Sequence, residues 1–406
     1  MATTFSYKVR DQTGKVVEGQ LEADDQALVV DKLRSMGFTP ISVSKQSENK
    51  LTADISIPGL SNRVKLKDVA VMSRQFATMI NSGLSILRSL AILSQQTDNK
   101  ELASVLSEVR LDVERGASLS AALSKHPKVF SKLFVAMVRS GEKSGTLDLV
   151  LLRLASTIEK QVELRRKVKS AMTYPVMVGF VVFGIAMIML IFIVPQFATI
   201  YDSLGGSLPT PTQILLKISK IVRTFFPVLI VLGIVAAVLF RRWINTTKGR
   251  AIWDAFKLRV PIFGGLVQKT ALARFSRTLG SLTRAGVPIL ESLEIVAETA
   301  GNSVVAAAVL DTQRAVKGGD SIARPLEQHE VFPPMVVQMM AVGEETGALD
   351  EMLDKIADFY EQEVAATVDA LTSLIEPMLI VIMGIVVGGM IISLYLPLFN
   401  IIKLIK

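Results

Sequence analysis

The chain has no cysteine. That excludes disulfides, thiolate zinc sites and thiol nucleophiles. Histidine is nearly absent too, at 2 residues in 406. Aromatic residues make up only 6% and do not interleave with the basic ones. The patches that stack single-stranded nucleic acid are therefore missing, and no nucleic-acid partner is expected. The stretch Met1–Arg10 lacks a basic start followed by an apolar run, so any insertion signal is expected to be internal. Catalytic signatures are also lacking. Gly141-Glu-Lys-Ser contains Lys-Ser, but no glycine immediately precedes the lysine, as a phosphate cradle requires. There is no Gly-x-Ser-x-Gly elbow and no His-Glu-x-x-His pair. No enzymatic activity, cofactor or metal is expected.

What the chain has in abundance is apolar surface. Half of its residues are hydrophobic and only 20% are charged, which fits a protein with membrane spans. The net charge is +8, and its Lys and Arg residues cluster beside apolar runs, the pattern that sets membrane topology. Two runs, Pro175–Val194 and Pro377–Leu396, carry no charge and have the roughly 20 residues that a ~30 Å hydrocarbon core needs. A third, Thr224–Phe240, is about 17 residues long, at the lower limit for a span. It reads either as a span or as a buried hairpin helix. Arg223, Arg241 and Arg242 flank it as interfacial anchors do. None of the three runs contains an ionisable residue, which argues against a proton relay or ion pathway.

The chain also repeats itself. Ser73-Arg-Gln-Phe-Ala-Thr-Met-Ile-Asn-Ser-Gly-Leu-Ser-Ile-Leu-Arg-Ser-Leu90 aligns with Ser276-Arg-Thr-Leu-Gly-Ser-Leu-Thr-Arg-Ala-Gly-Val-Pro-Ile-Leu-Glu-Ser-Leu293. Gly116-Ala-Ser-Leu matches Gly319-Asp-Ser-Ile, and His126 matches His329. Gly141-Glu-Lys-Ser-Gly-Thr-Leu-Asp148 matches Gly343-Glu-Glu-Thr-Gly-Ala-Leu-Asp350, and Pro175 and Pro195 match Pro377 and Pro397. The register slips by a single residue over this length.

Duplication bears on topology. Arg165, Arg166, Lys167 and Lys169 precede the first span, and no Lys or Arg follows it until Lys217, which places the N-terminus in the cytoplasm. Lys403 and Lys406 follow the last span and argue weakly the other way. Two copies of one fold should enter the membrane alike, so a return crossing between them is required. Thr224–Phe240 supplies it, and the C-terminus is expected outside.

Within each copy the period is helical. Phe76, Met79, Ile80, Leu84, Leu87 and Leu90 suit one apolar face broken by a turn. Gly83 and Gly286 suit the end of a first helix, and Ser85 and Pro288 the start of a second. A third helix should end near Gly116 and Gly319. A short helix follows, then one over about Phe130–Ser140, and a last from Leu147 and Leu349 toward Pro175 and Pro377. At the N-terminus, Phe5, Tyr7 and Val9 alternate as in a strand, Asp11–Gly14 reads as a turn, and a second strand reaches about Glu22. Asp24 should cap a helix ending at Gly37, with a third strand over Pro40–Val43.

The expected fold is therefore mainly α: two tandem cytoplasmic six-helix bundles, each running into a transmembrane helix, three transmembrane helices in all, and a small N-terminal ββαβ domain. The expected segments are 1–45 for that domain, 46–63 for a linker, 64–174 for the first bundle and 175–194 for the first span. An external loop over 195–223, a second span over 224–240, a second bundle over 241–376, a third span over 377–396 and an external tail over 397–406 complete the chain.

Two local signals remain. The duplicated joint, with Gly141, Glu142, Gly145, Leu147 and Asp148 in one copy and Gly343, Glu344, Gly347, Leu349 and Asp350 in the other, reads as a helix–loop–helix connection. Its glycines would end one helix and its aspartates complement the dipole of the next. Its acids would equally suit contact with a basic cytoplasmic partner. Gly384 and Gly388 stand four apart in the last span, where they either let two membrane helices approach closely or are ordinary membrane-helix glycines. The equivalent histidines suit a shared structural hydrogen bond better than catalysis.

The ββαβ head, the paired Arg…Gly-x-x-Ile-Leu-x-Ser-Leu and Gly-Glu-x-x-Gly-x-Leu-Asp motifs, and the three spans together resemble the PilC/GspF family. These are the membrane platform proteins of type IV pilus assembly and type II secretion. The resemblance covers nearly the whole chain, and Arg74–Pro195 is more similar to the pilus branch. It implies a non-enzymatic role in the cytoplasmic (inner) membrane. The implied partners are a cytoplasmic hexameric assembly ATPase, pilin or pseudopilin subunits, other inner-membrane assembly proteins and membrane lipid. It also implies a homodimer or small homo-oligomer. A solute transporter would show broken helices and polar residues at mid-membrane, and a signalling protein a catalytic output motif. Neither is present.

Overall fold

A computed structural model of the chain describes residues 3–10, 16–23, 25–45, 63–203 and 209–404. The chain divides into two compact units, Met1–Arg63 and Val64–Lys406.

In the first unit, strands β1 (Thr3–Arg10) and β2 (Val16–Ala23), helix α1 (Gln26–Ser35) and strand β3 (Thr39–Lys45) follow one another. β1 is central and antiparallel to both neighbours, with Tyr7 opposite Gly19 on one side and Val43 on the other. The period of two along β1 turns Tyr7 and Val9 to one face. There Val9, Val29 and Leu33 are buried, with Leu21, Phe38 and Val43 packed around them. The helix is capped by Asp25, whose carboxylate accepts the Gln26 N–H at 2.6 Å. Asp24, the expected cap, lies outside the described residues, as do the expected turn at Asp11–Gly14 and the linker over 46–62. Gly37 (φ 82°) ends the helix, and the Phe38 N–H closes on the Leu33 carbonyl at 3.1 Å.

The second unit begins with α2 (Leu66–Asn81), α3 (Ile86–Gln96), α4 (Lys100–Glu114), α5 (Leu119–Ser124), α6 (Lys132–Ser144) and α7 (Leu147–Ile188). A π-helical turn, Met189–Ile193, carries α7 into α8 (Val194–Ser203). After α9 (Thr210–Ile244) and α10 (Thr247–Arg259), the pattern of α2–α7 recurs. It comprises α11 (Phe263–Arg284), α12 (Ile289–Thr299), α13 (Ser303–Lys317), α14 (Ala323–Glu327), α15 (Pro334–Thr346) and α16 (Leu349–Met383). A second π-helical turn, Gly384–Gly388, leads into α17 (Gly389–Leu404). The glycines that close these helices take positive φ at equivalent places, 84° and 74° at Gly83 and Gly286, 95° and 91° at Gly116 and Gly319. An L side chain rarely adopts that conformation, so the duplicated glycines fix where each helix stops.

The two repeats do not form separate bundles. Phe76, Leu93, Leu106, Phe134 and Leu154 from the first and Phe275, Leu293, Val309, Met340 and Ile356 from the second belong to one continuous buried core. α7 and α11 both pack on α16, which joins the two halves. Several details depart from the sequence expectation. Leu87 points outward, 37% exposed, and Leu93 takes the buried place one turn and a half later. α6 runs to Ser144 rather than Ser140, because its start is capped by Ser131 and its stop comes only at Gly145 (φ 72°). Pro288 sits at the cap position rather than in the first turn of α12.

Neither Pro175 nor Pro377 interrupts its helix. A proline forgoes one backbone bond, and the hydrogen-bonded ladder on either side holds. The helical tracts Leu147–Phe197 and Leu349–Leu396 are each long and apolar enough to cross a membrane. Their apolar ends are largely unburied, with Val176, Phe180, Phe183 and Ile385 at 65%, 77%, 64% and 69% exposure. α9 bends by 61° between Thr210–Val228 and Ile230–Ile244, next to Pro227, and counts as a further candidate if the bent pair is one span. The expected external loop is largely helical, since α8 and the first part of α9 occupy it. That part of α9 packs on the other apolar tracts: Val194, Leu215, Met390 and Leu394 form a small buried cluster, and Thr212 donates to the Ser393 carbonyl at 2.5 Å. The expected tail is helical as far as Leu404.

Candidate functional site

The duplicated joints are built alike. Gly141 and Gly343 lie inside α6 and α15, where those helices touch the start of the next. A Cβ at Gly141 would stand 3.1 Å from the Leu147 Cα, and one at Gly343 only 2.9 Å from the Leu349 Cα. The next residue in each copy is the acid. Glu142 accepts the backbone N–H groups of Leu119 at 2.6 Å and Ser120 at 3.1 Å, and the Ser120 hydroxyl. Glu344 accepts the Ile322 N–H at 2.9 Å on both oxygens and the Ala323 N–H at 3.4 Å. Each carboxylate therefore caps the short helix α5 or α14 from across the bundle, satisfying donors that no intrahelical carbonyl reaches. Gly145 and Gly347 (φ 72° and 69°) end α6 and α15, and α7 and α16 start at Leu147 and Leu349. Asp148 and Asp350 stand in the first turns of those helices. Asp350 also accepts from Arg284 Nε at 3.0 Å, and this bond, more than burial opposes it, holds its carboxyl below the ordinary value.

The histidines hold equivalent places after the short helices. His126 Nε2 lies 3.8 Å from Glu108 and His329 Nε2 3.5 Å from Asp311, each acid on the preceding long helix. Gly384 and Gly388 fall in the π-helical turn, and nothing in the described chain comes within 4 Å of a Cβ built on either. Among the described residues no group of three metal-ligating side chains converges.

A charged cluster between the repeats was missed by sequence reasoning. Arg277, 9% exposed, donates to Glu361 at 2.9 Å, Asp354 at 3.2 Å and Asp358. Burial works against its cation, and the bonds to Glu361 and Asp358 outweigh that, so its pKa is raised. Arg284 bonds Asp354 as well as Asp350. From the first repeat, Lys160 reaches Asp358 at 3.0 Å, Arg153 donates to the Arg284 carbonyl at 2.7 Å, and Ser140 to the Ala285 carbonyl at 2.6 Å. Burial raises the Asp358 carboxyl, and Arg277 and Lys160 together bring it below its ordinary value. The first repeat has a reduced version: Arg74 and Glu159 pair, each 41% exposed. A signal existed. Arg74 and Arg277 sit in the matched segments, Glu159 and Glu361 recur at the interval of Pro175 and Pro377, and Asp350, Asp354 and Asp358 are four apart on one face of α16.

These features define a duplicated helical protein whose long helices leave a charged, shared core and continue as apolar helices fit to cross a membrane. The profile of the family "Type II secretion system (T2SS), protein F" matches residues 72–195 and 275–397, and that of its N-terminal domain matches residues 1–44. The chain belongs to this family. It is 47% identical to a "Type IV pilus assembly protein PilC" of Thermus thermophilus, over 98% of both chains. It is 43% identical to the protein of the same name from Myxococcus xanthus, over 98% of this chain and 94% of that one. A "Type II secretion system protein F" of Pseudomonas aeruginosa is 32% identical over 99% of both.

Proposed function

We propose that the chain is a non-enzymatic platform protein of type IV pilus assembly in the cytoplasmic membrane, coupling a cytoplasmic hexameric ATPase to the extraction and polymerisation of pilin. The observation that carries this reading is the full-length similarity to proteins named for type IV pilus assembly, at 47% and 43% identity. The 32% identity to a type II secretion protein over the same length supports a secretion platform as the second reading.

On this reading residues 1–45, 64–174 and 241–376 lie in the cytoplasm, and residues 175–194, 224–240 and 377–396 cross the bilayer with the C-terminus outside. The uniformly exposed apolar surface of α9 after Phe225 supports the second crossing. Because α7 and α16 run unbroken from the charged core into the apolar tracts, a push on the cytoplasmic helices reaches the membrane along a stiff rod. Pilin helices would meet the apolar tracts, and the open face at Gly384 and Gly388 suits a second copy of the chain.

The joints at Glu142 and Glu344 are the proposed ATPase contact. Glu142→Gln with Glu344→Gln keeps an acceptor for each capped N–H and removes both charges. If the acids meet a basic partner, co-purification of the ATPase falls while the melting temperature barely moves. Unchanged co-purification refutes the contact and leaves both acids as caps.

A further inference from the structure

We propose that α10 lies along the membrane surface and anchors the second repeat to anionic phospholipid headgroups of the cytoplasmic leaflet. The proposal rests on the reading above only in that α9 crosses the bilayer and emerges at that leaflet.

Two residues, Asn245 and Thr246, separate α10 from α9, and the Thr246 hydroxyl caps the new helix at the Gly249 N–H (3.1 Å). One face of α10 is fixed by Asp254, only 3% exposed. Its carboxylate accepts the Ser303 N–H at 2.9 Å and pairs with Lys257 at 2.6 Å, while the Asn302 amide donates to its carbonyl at 3.2 Å. This docks α10 on the start of α13. At about 100° per residue, the far side of the helix carries Lys248, Ile252, Phe256 and Arg259. Ile252 and Phe256 are 60% and 55% exposed.

The apolar surface continues at both ends. Toward α9, Phe240, Trp243, Trp253 and Phe256 form a chain of ring contacts, with centroids 5.2 to 6.0 Å apart. Aromatic rings of this kind favour the bilayer–water boundary. After α10, the Phe263 N–H closes on the Pro261 carbonyl at 2.8 Å and holds Ile262 at φ 71° and ψ −51°. That is a γ-turn of the strained kind, and a β-branched residue occupies it with its side chain 62% exposed. The chain spends strain to present an isoleucine that no part of the unit covers.

Charge selects the occupant. Arg250 and Lys257 turn to Asp254. Arg241, Arg242, Lys248 and Arg259 have no ion-pair partner among the described residues, so the open charge of this face is wholly positive. An apolar stripe rimmed by cations, beginning where an apolar helix ends, is the composition of an interfacial anchor on anionic lipid. α10 lies outside both matched repeat segments, so it belongs to the second half alone and not to the duplicated unit.

Because the chain has no cysteine, one introduced thiol labels one site. Full-length Phe256→Cys and Ile252→Cys variants, nitroxide-labelled in vesicles of phosphatidylglycerol and phosphatidylcholine, are compared for collision with oxygen and with a water-soluble nickel chelate. Both labels should favour oxygen, and Ala251→Cys, on another face, should favour nickel. Lys248→Glu with Arg259→Glu, or vesicles of phosphatidylcholine alone, should raise nickel collisions at position 256 by about fivefold for each interaction lost. Nickel-accessible labels at 252 and 256 in anionic vesicles overturn the proposal. So do labels shielded from both reagents whatever the lipid, the outcome expected of an acidic protein partner or a second copy. A Val235→Cys label reports α9 separately: exposure there sinks the crossing, and positions 252 and 256 still decide the anchor.

Discussion

At the scale of single residues, the duplication has produced equivalent contacts of unequal worth. Arg74 with Glu159 and Arg277 with Glu361 are the same ion pair in two copies. The first is half in water, where such a pair contributes about 0–1 kcal/mol. The second is buried and holds three carboxylates, so deleting its cation strands charge at the seam and should cost about 3 kcal/mol. Arg277→Met should therefore lower the melting temperature of the detergent-solubilised protein well below that of Arg74→Met; equal shifts would show that burial of Arg277 adds nothing. The pairing was half legible. The arginines and glutamates recur in register in the sequence, but spacing says nothing of which helices meet, and Asp354, Asp358 and Lys160 have no charged counterparts in the other copy to mark them. The caps made by Glu142 and Glu344 were hidden for the same reason, since their partners are backbone groups more than 20 residues away.

At the scale of elements, the glycines were the legible part. Gly83, Gly116 and Gly145 and their partners stop helices where a positive φ is needed, and their recurrence alone placed most helix ends to within a turn. Gly141 and Gly343 serve a different purpose, close approach, which a sequence cannot separate from a stop signal; hence α6 runs one turn past its expected end. The contacts rank them. A methyl group at Gly343 overlaps the Leu349 Cα and Met352, where backbone must move, while at Gly141 the contacts are slightly longer. Gly343→Ala should destabilise by about 1–3 kcal/mol and Gly141→Ala by less. Thermal unfolding of the two variants checks the order, and a neutral Gly343→Ala would contradict the packing of α15 on α16. The prolines misled in the opposite sense. Pro175 and Pro377 mark where the helices turn apolar and not where they end, because apolar surroundings and an intact ladder carry a helix through a single missing donor.

At the scale of the whole molecule, duplication and apolar runs were plain in the sequence, and the merged core was not. Each repeat reads as a bundle on its own, yet α7, α11 and α16 bury one surface in common. Periodicity shows that a face is apolar and leaves open which half of the chain covers it. The merged core matters for the proposed role. Two hinged bundles would absorb a push from an ATPase, whereas a shared core with α7 and α16 leading out of it passes the push to the membrane. The claim that this is a pilus platform is tested most directly by counting surface pili on a strain lacking the chain and on the same strain restored with it. The account predicts that pili vanish while pilin remains in the membrane, and that they return with the restored chain. Normal piliation in its absence would contradict it.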